Sequence, residues 1–399
     1  MNPSLPPPVV DLPDDARACV PAIAAPGEGL APDGVRRAWP IRLFKVVGSA
    51  AEWLFGLGAL VLGLAVAASI PIVQFLSLGY LLEASGRIAR TGRFSAGFVG
   101  VRQAARAGSI VLGAWLWLWP VRFCSSLATS AHLIKPGSRS DRLWTIALWT
   151  LTVLVVLHII GACWRGGKLR HFLWPAPLRV ARLALRRGSY ALVRDAVCDF
   201  VFGMRLPYFF WLGFRGFVGG VLWLVVPITL MAAGQQRPIW SLVGGLVMTL
   251  VLLYLPFVLV RFAAENRFRA MFEISGVRQW FRRGPWAFWA ALLVSLALAL
   301  PLYPFKVEII PRDAAWLPSI LFVLFALPSH LLTGWACGWA SHRQRPRNWF
   351  SCLLARLAML PVAGIYVFIT FFSVYIAWDG LKSLYGQHAF LLPTPFLGN

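Results

Sequence analysis

The sequence predicts an all-α polytopic transmembrane helix bundle of seven or eight spans, and three observations carry that prediction. Apolar residues make up 59% of the 399-residue chain and charged residues only 13%, against about 25% charged in an ordinary soluble domain. Long runs contain no Asp, Glu, Lys or Arg at all. The bases gather between those runs, and 38 of them against 15 acids give a net charge of +23. Basic segments alternating with apolar runs are what the positive-inside effect and contact with anionic headgroups produce. The same placement argues against a nucleic-acid partner.

Roughly 20 apolar residues are needed to cross about 30 Å of hydrocarbon. The uncharged runs Trp53–Leu82, Leu143–Trp164, Gly216–Gln236, Pro238–Val260, Gly284–Phe305, Ala314–His342 and Leu357–Trp378 meet that length, at 21 to 30 residues each. An eighth, Ser109–Ala131, is long enough only if it holds Arg122 inside it. The first run is too long for one helix and contains Pro71, which removes a backbone donor and clashes with the preceding turn. It is read either as a full span followed by a bent interfacial helix or as a hairpin that enters and leaves on one side.

Residues 1–40 hold nine prolines and five acids with no apolar core behind a basic start, so they are expected to form a disordered tail rather than a signal peptide. Residues 41–399 then form the helical membrane domain. The six cysteines (Cys19, Cys124, Cys163, Cys198, Cys337, Cys352) are scattered and indicate neither a disulfide framework nor a zinc site. No cofactor or metal is expected.

Between the spans, Glu83–Arg106 carries five Arg, Arg165–Arg205 nine bases, Arg261–Arg283 six Arg and Arg343–Arg356 four. Their alternation with poorer loops places the basic loops in the cytoplasm and the C-terminus outside. Arg36, Arg37, Arg42 and Lys45 also favour the cytoplasm, which fits the hairpin and seven full spans; an outside N-terminus with eight spans is the alternative. Arg179, Arg182 and Arg186 recur at i, i+3, i+7 with Leu178, Ala181 and Leu185 on another face, the pattern of a helix lying in the headgroup plane. Membrane lipids with anionic headgroups are therefore the expected partners. An arginine excess over lysine points to a GC-rich prokaryote and its inner membrane.

One internal echo is visible. Arg93-Phe94-x-Ala96-x-Phe98 followed by Gly100-Val101-Arg102-Gln103-x-x-Arg106-x-Gly108 recurs as Arg267-Phe268-x-Ala270-x-Phe272 and Gly276-Val277-Arg278-Gln279-x-x-Arg282-x-Gly284. Two repeats, about 46–164 and 238–342, would explain it. In these regions Pro71-x7-Gly79-Tyr80-Leu81 and Arg261-Phe262-Ala263-Ala264-Glu265-Asn266-Arg267-Phe268 resemble two signatures of a family of bacterial and archaeal polytopic membrane proteins known only as a domain of unknown function. The resemblance implies a helical membrane fold and no activity.

Charged side chains in hydrocarbon are costly and mark functional or pairing sites. Glu52, Arg122, His158 and His330 are the candidates for an intramembrane polar site, with Arg122, Ser125, Ser126 and Thr129 sharing one helix face. Arg122 either binds an anionic solute or couples to a proton through the histidines, or else it snorkels to an interface or pairs with Glu52 or backbone carbonyls to hold helices together. Gly334-x-x-x-Gly338 gives one run a small-residue face for close helix packing. Arg278 and Arg282 join Arg179, Arg182 and Arg186 as interfacial bases. No nucleophile elbow, zinc-binding His pair, P-loop or dinucleotide fingerprint occurs, so no catalytic residue is assigned. The sequence is read as a structural or membrane-organising protein, or alternatively as a permease for a small solute or lipid working around Arg122.

Overall fold

The computed structural model describes residues 39–174, 189–234, 237–302 and 316–376. The Pro-rich tail, Arg179, Arg182 and Arg186 lie outside them. The chain divides into two units, residues 1–49 and 50–399, and the helix packing lies within the second.

Among the described residues every regular element is helical: α1 (Trp39–Ser69), α2 (Gln74–Thr91), α3 (Val101–Ile134), α4 (Arg139–Trp164), a short α5 (Leu169–Leu173), α6 (Ser189–Gly203), α7 (Leu206–Ala233), α8 (Pro238–Glu265), α9 (Ile274–Arg283), α10 (Pro285–Ala299), α11 (Trp316–Ser341) and α12 (Trp349–Ile376). Eight stretches among the described residues are long and apolar enough to cross a membrane. They are Val46–Ser69, Val101–Ile134, Arg139–Trp164, Val197–Ala233, Pro238–Glu265, Pro285–Leu302, Pro318–Ser341 and Trp349–Phe372. The protein is an all-α, multi-pass integral membrane protein.

The long first run divides where Pro71 stands. Helix α1 stops at Ser69, and α2 starts at Gln74 after a turn in which Ile72 takes a φ of 71°. The Ser77 hydroxyl donates to the Leu64 carbonyl at 2.6 Å across the turn, so α1 and α2 fold back on each other as a helical hairpin. Helix α2 continues through Glu83–Thr91, which reads from sequence as the opening of a basic loop. Its polar residues suggest a solvated segment, yet Glu83, Ala84, Ser85, Ile88 and Ala89 are all buried.

Helix α2 is the axis of the core. It packs on α7, α8 and α11, and small residues set each approach. A Cβ on Gly86 would lie 2.8 Å from the Ala263 carbonyl carbon of α8. On α11, a Cβ on Gly334 would meet the Ser85 carbonyl oxygen at 2.6 Å, and one on Gly338 the Ile88 oxygen at 2.6 Å. Lipid tails are as apolar as leucine, so close backbone contact and dispersion hold such helices rather than expulsion of water. Around this axis Leu81, Leu82, Leu252, Phe257, Phe262, Phe288 and Val323 are fully enclosed. Helices α3 and α4 pair with each other and with α5.

The two arginine motifs share backbone geometry. Helix α2 ends in Gly92 (φ 67°), whose N–H donates to Ile88 O; α8 ends in Asn266 (φ 50°), whose N–H donates to Phe262 O. A 3-10 turn follows each, Phe94–Gly97 and Phe268–Met271. Then they diverge: Gly108 lies inside α3 against the Ala59 methyl, whereas Gly284 separates α9 from α10.

Candidate functional site

The arginine-rich segments meet at one end of the bundle. Arg90 donates to the Ala263 and Ala264 carbonyls at 3.0 and 3.1 Å; these are last-turn acceptors of α8 that have no intrahelical donor. The Ser341 hydroxyl reaches Ala89 O at 3.4 Å. Arg283 donates to Ser341 O at 3.5 Å, and the Arg347 amide donates to Arg282 O at 2.8 Å. The ends of α2, α8, α9 and α11 and the chain just before α12 are thereby tied together.

Three carboxylates, Glu83, Glu265 and Glu273, organise this end. Glu83 is 3% exposed. Its Oε1 accepts from Arg87 Nε at 2.8 Å and Arg90 Nη2 at 2.9 Å, and its Oε2 from the Tyr208 hydroxyl at 2.8 Å. Tyr208 is brought there by the break between α6 and α7, where Arg205 caps α7 with a φ of 49°. A carboxylate removed from water needs its lone pairs filled, and three donors do so. Glu265 accepts from Arg261 Nε at 2.7 Å and from Arg267 Nη2. Arg261 also donates to the Glu273 carbonyl at 2.7 Å and carboxylate at 3.0 Å. Beside them Arg215 donates to Asn266 Oδ1 at 2.7 Å and lies over the Phe262 ring.

With the acids committed inward, the outer arginines stand apart. Arg93, Arg102, Arg106 and Arg282 are exposed and have no carboxylate partner among the described residues. Arg278 is exposed over the Tyr254 ring, and Arg343 stacks on Trp339 at 3.7 Å. Such guanidinium groups form charge-assisted, bidentate hydrogen bonds to phosphate.

The candidate intramembrane residues are not joined to one another by any hydrogen bond or ion pair among the described residues. Glu52 is exposed on α1. Arg122 is exposed on α3 and borders a groove against α4. His158 is half-buried on α4; its Nε2 meets the Phe172 carbonyl at 2.9 Å, which Trp117 Nε1 also reaches at 2.8 Å. His330 is buried in α11. Gly334 and Gly338 face the α2 backbone. Among the described residues no group of three or more His, Cys, Asp or Glu could hold a metal ion.

Sequence reasoning missed Glu83, Arg90, Tyr208 and the Arg261–Glu265–Glu273 set. The signal was present in part: Glu83, Arg87 and Arg90 stand at i, i+4, i+7, and Arg261 and Glu265 at i, i+4, spacings that place ion pairs on one helix face. Tyr208 lies 125 positions from Glu83 and carries no such mark. No protein-family model, curated protein or solved structure matches the chain.

Proposed function

We propose that this integral membrane protein organises its bilayer by gathering anionic lipid headgroups around its arginine-rich end. The observation that carries the reading is the exposed set Arg93, Arg102, Arg106, Arg278 and Arg282, none with a carboxylate partner among the described residues, beside a scaffold whose own acids are internally paired. A basic residue near an anionic surface contributes about 1 kcal/mol, so five supply a multivalent attraction to charged lipid. The positive-inside effect favours a cytoplasmic location for this end and an outside C-terminus, and the excess of arginine over lysine favours a prokaryotic inner membrane.

The scaffold supports an organising role better than solute passage. Glu52, Arg122, His158 and His330 share no hydrogen bond or ion pair with one another among the described residues, and His158 is occupied by a backbone carbonyl. The resemblance to an uncharacterised family of polytopic membrane proteins is part of the same reading. Its motif residues Gly79, Tyr80, Arg261 and Glu265 sit in close helix contacts and ion pairs. To test it, the protein is reconstituted into phosphatidylcholine vesicles containing a trace of fluorescent phosphatidylglycerol, and energy transfer from protein tryptophan to the probe is recorded. Enrichment of the probe that disappears when the five arginines become Gln supports gathering. Equal transfer in the wild type and the variant refutes it.

A further inference from the structure

Arg122 occupies an unusual place for a cation. It lies inside the apolar stretch Val101–Ile134, it is exposed at the helix surface, and no carboxylate pairs with it among the described residues. A guanidinium on an apolar span is costly unless it reaches an anionic partner or the interface. The site around it supplies what a phosphate ester needs. Leu118, Leu148 and the Trp149 ring form apolar walls between α3 and α4, while Ser125 and Thr152 place hydroxyls in the same groove. The Thr152 hydroxyl is already spent on Leu148 O at 2.7 Å. The Ser125 hydroxyl and the Trp149 indole N–H have no hydrogen bond among the described residues, so both are available as donors beside the guanidinium.

Depth fixes which leaflet is involved. Arg106 stands with the arginine-rich end, and the sixteen residues from it to Arg122 rise about 24 Å at 1.5 Å each. With a hydrocarbon core of about 30 Å, Arg122 sits one side-chain length short of the opposite interface, within snorkelling reach of its phosphates.

We propose that the α3–α4 groove is a binding site for a phosphate-bearing amphiphile in the leaflet opposite the arginine-rich end. Arg122, Ser125 and Trp149 hold the phosphate, and acyl chains lie along Leu118 and Leu148. The groove shares its lipid chemistry with the proposed headgroup gathering but is a separate site, so each proposal can fail alone.

The test is native mass spectrometry of the full-length protein released from bilayers containing phosphatidylglycerol and phosphatidylcholine. It uses the wild type, Arg122→Leu, Arg122→Lys and the five-arginine variant. The expected result is a retained phosphatidylglycerol adduct that survives in the five-arginine variant, weakens at least about tenfold in Arg122→Leu, as loss of charge-assisted hydrogen bonds implies, and is partly restored in Arg122→Lys. Excess inorganic phosphate should fail to displace it; displacement would assign the site to free phosphate and overturn the lipid assignment. Equal retention in the wild type and Arg122→Leu overturns the site. So does a dimer that dissociates in Arg122→Leu, because Arg122 would then be buried against a second copy.

Discussion

Gly79 and Gly213 cross with no space for a methyl group on either side. A Cβ on Gly79 would lie 1.7 Å from the Phe209 carbonyl oxygen, and one on Gly213 would lie 1.9 Å from that of Phe75. Both obstacles are backbone, so the helices must separate to admit a larger residue. Gly79→Ala is therefore expected to lower stability in detergent by more than the about 1–3 kcal/mol of an ordinary overpacked core. Gly364, with no atom within 4 Å of its would-be Cβ, gives the control: Gly364→Ala should be neutral or stabilising by up to about 1 kcal/mol. Thermal unfolding of the two variants in the same detergent checks the contrast, and equal midpoints would contradict the close crossing.

Glu83 is the next most sensitive position. Replacing it with Gln keeps the size but leaves Arg87 and Arg90 without their shared carboxylate. Breaking a buried pair from one side costs about 3–5 kcal/mol; the two arginines are only partly enclosed, so the lower end of that range is expected. Tyr208→Phe removes one donor to the same carboxylate and should cost about 1.5–3 kcal/mol. Denaturant titration of the single and double variants measures the coupling. If the two losses simply add, Glu83 and Tyr208 do not act on each other as the geometry requires.

His171 in α5 carries a pH dependence. Burial, followed by the nearby Arg165, Arg170 and Lys168, holds its imidazole below the ordinary histidine value, and its Nδ1 is buried without a partner. The neutral ring is favoured in the fold, whereas the unfolded segment protonates near pH 6.5. The sign follows: the contribution of α5 is complete above that pH and is lost as pH falls below it. The protection of the 169–173 amides, taken relative to their intrinsic exchange rates at each pH, should fall on acidification from neutral pH in the wild type and show no such step in His171→Gln. A step of equal size in both would assign the effect to another group.

The membrane architecture was legible because hydropathy over long windows needs no tertiary information. The break at Pro71 and the small-residue face of Gly334 and Gly338 were legible for a similar reason: each is a local property of one helix. Helix α2 was not. It mixes Glu83, Arg87 and Arg90 with apolar residues, so a composition-based reading assigns its second half to a loop. What encloses it is contributed by α7, α8 and α11, which lie far off in the chain. The same limit hid the end-face cluster, since Arg90 meets Ala263 across 173 positions. Arg122 was legible as an anomaly, but its surroundings required the α3–α4 pairing.

The central claim, that the arginine-rich segments share one membrane face and that this face is cytoplasmic, is tested most directly by accessibility labelling. Single cysteines are placed at Thr91, Arg278 and Arg345, at the arginine-rich end, and at Lys135 and Arg237, at the opposite helix ends, in a chain whose six native cysteines are replaced by Ala. Intact cells are then exposed to a membrane-impermeant maleimide. The cysteines at 135 and 237 should label from outside, and those at 91, 278 and 345 only after permeabilisation. External labelling of any of the latter three, or protection of both 135 and 237, would contradict the claim.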